Sequence, residues 1–350
     1  MDFPALDVDH SPEPWSGRFD GDGVEHRRWW QAVSPLTGSL PARSEGLDAA
    51  ASGAGSGTPQ AWQAAQARPA AQAGPAALAR PAALLGFCSD EGVRRNQGRQ
   101  GAVAAPAAIR SALGSLAFHL DRPVYDAGDV AVVGSDLEEG QTRAGQAISA
   151  LLDAGALPVV LGGGHETAFA SYLGVAGSQR IRQGARLGVL NLDAHFDLRD
   201  APVPSSGTPF LQMARAEADA GRRLAYAVVG ISEANNTRTL FDTADRLGVR
   251  YLLDEECQAE RTHDFVAAFL DGVDALYLTI DLDVLPAAVA PGVSAPAAYG
   301  VPMPIIAAIC RQVAASGKLF HCDVAELNPE FDVDSRTAKA AARLVNTLLR

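Results

Sequence analysis

The chain has 350 residues, 47% of them hydrophobic and 20% charged, enough to build one large core or two smaller ones. Its 41 acidic and 29 basic residues leave a formal net charge of −12, which disfavours a non-specific nucleic-acid binder, since that role needs Lys and Arg concentrated against phosphate. No apolar stretch reaches the roughly 18 residues of a membrane span. The opening MDFPALDVDHSPEPW has neither the basic nor the apolar region of a signal peptide. Cys88, Cys257, Cys310 and Cys322 show no paired spacing and read as reduced thiols, so a cytoplasmic protein is expected.

In chain order, the first block with character is WSGRFDGDGVEHRRWWQAV at 15–33, whose Trp29 and Trp30 need apolar partners and read as packing anchors. Residues 43–82 are rich in Ala, Gly, Pro, Gln and Ser, with Trp62 the only aromatic. Within an N-terminal extension at 1–82 they read as a flexible insert that need not pack. From 83 to 350 the chain reads as one catalytic domain in which short apolar runs alternate with Ala-rich stretches. The runs predict strands at 81–87, 130–134, 157–162, 186–193, 225–231, 249–253, 275–283 and 318–324, with helices at 141–155, 263–273 and 303–317. Continuous apolar strands separated by helices predict a three-layer α/β/α sandwich around a central, mostly parallel sheet of roughly eight strands. In such a sheet ligands sit beyond the carboxyl ends of the strands.

Acidic and imidazole groups collect at three of those ends. LGGGHE at 161–166 runs through glycines into His165. In NLDAHFDLR at 191–199, strand alternation would put Asp193, His195 and Asp197 on one face, and LTIDLDVLPAAVAPG at 278–292 would do the same for Asp281 and Asp283. Taken singly, the glycines can serve only the turn, and the DLD can be a helix cap or a solvated loop. The DAHFD segment is harder to explain that way, because titratable side chains on an apolar strand are costly unless occupied. Pooled, the carboxylates repel one another unless cations lie between them. Imidazole and carboxylate without thiolate suit Mn²⁺, and less selectively Zn²⁺, Co²⁺ or Ni²⁺. Two such ions, with Asp193 and Asp281 able to bridge, can lower the pKa of a shared water to near neutrality. A nucleotide-binding reading of the glycines fails, since GxGxxG is missing and the carboxylates repel phosphate.

GGGHE, DAHFD and DLDVLPAAVAPG resemble the metal signatures of the ureohydrolase family (arginases, agmatinases and formimidoylglutamases), and DVAELNP at 323–329 resembles its segment with an acidic residue before Asn-Pro. The resemblance covers essentially all of 83–350 and implies an arginase-like fold with two Mn²⁺ per chain. His165 and Asp197 would hold one ion and His195 and Asp283 the other, with Asp193 and Asp281 bridging. It implies catalytic roles for Asp197, accepting a hydrogen bond from a metal-bridging hydroxide and relaying a proton, and for Glu326, pairing with the cationic substrate nitrogen. Arginases carry a His-containing segment after DAHxD. Here VPSSGTPFLQM at 203–213 has no His, and SSGTPF is similar to formimidoylglutamases, as are 86–110, WSGRFDG…RWWQAV and NNTRTLF at 235–241.

The implied reaction is hydrolysis of N-formimidoyl-L-glutamate to L-glutamate and formamide, a step of histidine degradation. A dicarboxylate substrate calls for cations and donors, and Arg95, Asn96, Arg199, Ser206, Thr208 and Asn235, with Arg94 and Arg238, fall in segments near the strand ends. The rival within the class is a ureohydrolase releasing urea from arginine, agmatine or a guanidino acid, which would share every ligand. A non-catalytic homologue would be expected to lack one. The expected partners are a small-molecule substrate and further copies of the chain in a homo-oligomer, with no nucleic acid and no membrane.

Overall fold

The computed structural model describes residues 5–36 and 80–350. The 43–82 stretch therefore lies outside the described residues except for its last three. Nine strands form one sheet: β1 (Val33–Pro35), β2 (Ala82–Cys88), β3 (Val124–Ala131), β4 (Leu157–Leu161), β5 (Leu187–Leu192), β6 (Ala225–Ile231), β7 (Arg250–Leu253), β8 (Ala275–Asp281) and β9 (Leu319–Ala325). Their order is β1-β3-β2-β4-β9-β8-β5-β6-β7, and every neighbouring pair is parallel.

Side-chain alternation along the strands feeds two apolar layers. Leu157, Val159 and Leu161 of β4, Leu276, Leu278 and Ile280 of β8, and Cys322 and Val324 of β9 pack on one face with helices Ala105–Gly114, Ala259–Leu270, Met303–Ala315 and Arg336–Leu349. Val160, Tyr277 and Phe320 point to the other face, onto helices Leu137–Asp153, Thr167–Gly177, Pro209–Asp219 and Arg238–Leu247. Burial on both faces is why the strands read as unbroken apolar runs, each Leu or Ile contributing about 1.5–3 kcal/mol. The three-layer expectation holds. No helix among the described residues is long and apolar enough to cross a membrane.

Two strand expectations need correction. The short edge strand β1 was not expected, and β3 spans Val124–Ala131 rather than 130–134. Asp126 and Asp129 interrupt the apolar pattern of β3, but both are neutralised by Arg110, at 2.9 and 2.6 Å, and Asp126 also accepts from the Trp15 indole at 2.8 Å. The described part of the N-terminal extension packs on the body. Trp29 is fully buried, stacks on Trp15, meets Phe118 edge-on and donates to Asn346 Oδ1, whereas Trp30 is only half-buried and donates to the Arg18 carbonyl. All four cysteines are unpaired thiols.

His321, inside β9, is fully buried, and among the described residues neither ring nitrogen has a hydrogen-bond partner. Burial pushes its pKa down to about 3. Between the ordinary value near 6.5 and about 3, the unfolded chain binds a proton that the folded chain refuses. Stability contributed by this group is therefore lost as the pH falls through that window, by up to about 1.4 kcal/mol per pH unit. Urea unfolding between pH 7 and pH 4 should show a shallower decline for His321→Leu than for the parent; parallel curves would contradict this.

Candidate metal centre

The sheet order places β4, β9, β8 and β5 side by side, so the segments leaving their carboxyl ends meet. After β4, Gly162 N donates to Val324 O, Gly163 O accepts from Glu326 N, and Gly164 N donates to Ser89 O. A Cβ on Gly163 would stand 1.8 Å from that same Ser89 oxygen, so the glycine run is required by backbone on both sides. It delivers His165 to the centre of the cluster.

The expected strand alternation does not position DAHFD. β5 ends at Leu192, and the chain then turns, with Asp197 at φ +48°. In that turn Asp197 Oδ2 comes 3.0 Å from His165 Nδ1, while His195 Nδ1 comes 2.9 Å from Asp283 Oδ2. Asp281 is the last residue of β8; its Oδ2 lies 3.1 Å from His165 Nδ1, and its Oδ1 accepts from Asp283 N in the 3₁₀ turn Leu282–Val284. Two donor sets result, His165–Asp193–Asp197–Asp281 and Asp193–His195–Asp283, each with ligating atoms within 4.8 Å of one another and sharing Asp193. After β9, Glu326 sits at φ +69° and accepts from His165 N at 2.8 Å. Asp197 and Glu326 thus both hold a left-handed backbone, which costs about 1–2 kcal/mol for a non-glycine residue and clusters at functional sites.

For Asp193, Asp197, Asp281, Glu326 and both imidazoles burial is the largest influence, and it disfavours charge. It pushes Asp281 well above the usual carboxylate range, and the charges of Asp283 and Asp193 push the same way. Asp197 is raised by burial and then by Asp193. For Asp193, hydrogen bonds to His165 and His195 outweigh burial and hold it low. Both imidazoles overcome burial and lie well above their ordinary value, His165 through hydrogen bonds to Asp193, Asp197 and Asp281, and His195 through the charge of Asp283. Glu326 is pushed up to about 8 by burial and by the charge of Glu166. Among the described residues no Lys or Arg forms an ion pair with Asp193, Asp197, Asp281 or Asp283; their cationic partners are imidazoles alone. Four carboxylates so placed are short of positive charge, and hard divalent cations fit that oxygen-rich, thiolate-free donor set.

The residues that follow Asp197 in the chain wall a cavity of about 480 Å³. Of the residues expected to meet substrate, Arg95, Asn96, Arg199 and Asn235 line it, together with Ser205, Arg215 and Arg246. The Arg95 guanidinium, however, is committed to Glu91, Glu138, Ser135 O and Pro204 O, so it holds the 203–208 loop instead of facing a ligand. Asn96 Nδ2 donates to Ser206 Oγ, and the buried Thr208 hydroxyl bonds Ser205 and Gln212 at the start of helix Pro209–Asp219. Arg199 is exposed, and its backbone N donates to Gly207 O. Arg94 is exposed and turned to Glu91.

Several supports escaped the sequence reading. The buried Asn236 accepts from Phe196 N and donates to Ala194 O and Ser232 O, clamping the DAHFD turn. Asn191 donates to Asp193 Oδ2 and to the Tyr226 hydroxyl, which itself donates to Phe196 O. His165 Nε2 meets Thr279 Oγ1 at 3.0 Å, fixing the ring. The one local signal was an Asn inside an apolar strand two residues before DAHFD's first Asp.

A parallel sheet with such a cluster at its central strand ends defines a class, and residues 80–350 match the arginase family: the chain belongs to that family. Within it, the chain is 53% identical over 339 residues to the formimidoylglutamase of Nocardia farcinica, spanning 97% of this chain and 96% of that one. It is 51% identical over 341 residues to the formimidoylglutamase of Rhodococcus opacus, spanning 97% and 95%. Among solved structures, Trypanosoma cruzi formiminoglutamase with Mn²⁺ superposes with a TM-score of 0.68 at 27% identity, over 77% of this chain and 92% of that one. The fold is also shared with formimidoylglutamase from Bacillus subtilis, at a TM-score of 0.69 and 23% identity over 77% and 86% of the two chains.

Proposed function

We propose that this chain hydrolyses N-formimidoyl-L-glutamate to L-glutamate and formamide, using two divalent ions per chain, Mn²⁺ by preference. The observation that carries the reading is the carboxylate–imidazole cluster at the strand ends, with Leu198 and Arg199, the residues that follow Asp197, lining an arginine-bearing cavity. His165 and Asp197 would hold one ion and His195 and Asp283 the other, with Asp193 and Asp281 shared. When bound, the pair supplies Lewis acidity and a nucleophile drawn from water near neutral pH.

The chain's own residues do the rest. Glu326 faces the cationic formimidoyl nitrogen; a carboxyl pushed up by burial regains its ionised form when a cation docks against it, and the resulting hydrogen bond is charge-assisted. Asp197 takes a proton during attack and passes it to the amine of the departing glutamate. Arg199 and Asn235, which line the cavity, bind the substrate carboxylates, while Arg95, Asn96, Ser206 and Thr208 hold the loop beside them. A guanidinium fork suits that task.

Turnover of Mn²⁺-loaded protein on N-formimidoyl-L-glutamate, with arginine and agmatine in parallel, tests the reading. The expected result is formamide and glutamate with no urea. Urea from either guanidino substrate would overturn the specificity and leave the metal centre standing. Silence on all three would favour a binding protein.

A further inference from the structure

We propose that Glu166 is a positioning residue that couples the metal loop to the loop facing the substrate carboxylates, and so sets substrate affinity. The inference rests on the reading of 203–208 as the carboxylate-facing loop. Glu166 directly follows His165 and is fully buried. Its Oε1 accepts from Ser89 Oγ at 2.7 Å and from Gly92 N at 3.0 Å. Among the described residues its Oε2 has no hydrogen-bond partner.

That arrangement is expensive. A buried carboxylate with an orphan oxygen costs more than an apolar side chain of the same shape, so a role in stability alone does not account for it. Close packing around it is equally specific: a Cβ on Gly92 would stand 2.4 Å from Oε2, and one on Gly164 2.2 Å. Both neighbours must be glycine for the carboxylate to fit.

The connection continues through Gly92. That residue lies in the short helix Glu91–Arg95. From its end, Arg95 Nη1 donates to Pro204 O at 3.1 Å, and Asn96 Nδ2 donates to Ser206 Oγ at 3.1 Å. The loop then returns to the metal segment, where Arg199 N donates to Gly207 O at 3.0 Å. A side chain one residue from a metal-centre imidazole therefore fixes, through one helical turn, the height of the loop beside Arg199. Without Oε1 the short helix loses its side-chain tie to the residue after His165 and the loop loosens, while the metal-centre side chains keep their own contacts.

The test uses Glu166→Ala, Glu166→Gln and Ser89→Ala in the full-length, Mn²⁺-loaded protein. Steady-state kinetics are paired with hydrogen exchange of the 203–208 amides. Glu166→Ala should raise KM by about 10-fold or more with metal content near the parent's, because misplacement of a positioning loop is felt in binding. Ser89→Ala, the milder change, should raise KM by a smaller factor. Glu166→Gln keeps an acceptor oxygen and should restore both KM and exchange protection. Unchanged exchange in Glu166→Ala would overturn the coupling, whichever substrate the enzyme takes. A parallel fall of kcat, metal content and melting temperature in Ser89→Ala would overturn it as well, by showing a structural role only. A parent inactive on N-formimidoyl-L-glutamate would instead sink the proposed function, with the exchange result still deciding the coupling.

Discussion

Replacing Asp281 by Asn should leave a folded protein that binds fewer divalent ions and turns over at least about 10³-fold more slowly, the rate equivalent of roughly 4 kcal/mol. Asp281 is buried at the end of β8, and its Oδ1 accepts from Asp283 N at 2.8 Å, a bond that Asn retains. The substitution therefore removes the charge and the oxygen that lies 3.1 Å from His165 Nδ1, and keeps the turn. In metal-free protein that charge is a burden: burial and the charges of Asp283 and Asp193 raise the Asp281 pKa well above its ordinary 3.8. Between 3.8 and that raised value the folded state binds more protons than the unfolded one, so this group costs stability increasingly as the pH rises. Metal-free Asp281→Asn should accordingly melt at or above the parent at pH 7. Added Mn²⁺ should reverse the order, since only the parent gains the full stabilisation of binding. Melting curves with chelator and with Mn²⁺, alongside metal analysis and turnover, check this. A variant that melts lower without metal, or keeps full metal content and normal turnover, would contradict the assignment.

The residues of the candidate metal centre were legible as a cluster because each strand end carries its acidic and imidazole groups within a few positions of one another. GGGHE, DAHFD and DLD can be seen without knowing what they touch, and the sheet order brings them together. The path that gathers them was not legible. Alternation puts Asp193, His195 and Asp197 on one strand face, but the chain leaves the strand at Leu192 and Asp197 takes a left-handed backbone, which no pattern of residue types announces. β3 was displaced for a related reason: Asp126 and Asp129 look like loop residues until Arg110 is seen between them. Arg95 shows the converse limit. Its sequence position placed it beside the cavity, as the structure does, but the carboxylates of Glu91 and Glu138 that occupy its guanidinium decide what it is free to bind. Asn236 and Glu166 were invisible, since a single polar residue reveals nothing of a partner tens of residues away.

Glu326→Gln should lower kcat/KM by about 10²–10³-fold while leaving metal content and melting temperature close to the parent's. The two consequences separate because the proposed function gives the side chain two jobs. Its Oε1 accepts from His165 N at 2.8 Å, holding the metal loop, and a glutamine oxygen does this equally well. Its negative charge is what an amidinium needs, and a neutral amide cannot supply it. The strained backbone at φ +69° is retained by either residue, so any fall in activity reports the lost charge and not a relaxed turn. The pH profile carries a second signature. A carboxyl that burial has raised is protonated progressively as the pH falls, so the parent should lose kcat/KM on the acidic side through this group. In Glu326→Gln that contribution should vanish, leaving a flatter acidic limb at a lower ceiling. If the variant turned over at the parent's rate with an unchanged limb, Glu326 would be a backbone anchor only, and the partner of the cationic nitrogen would have to be sought elsewhere in the cavity wall.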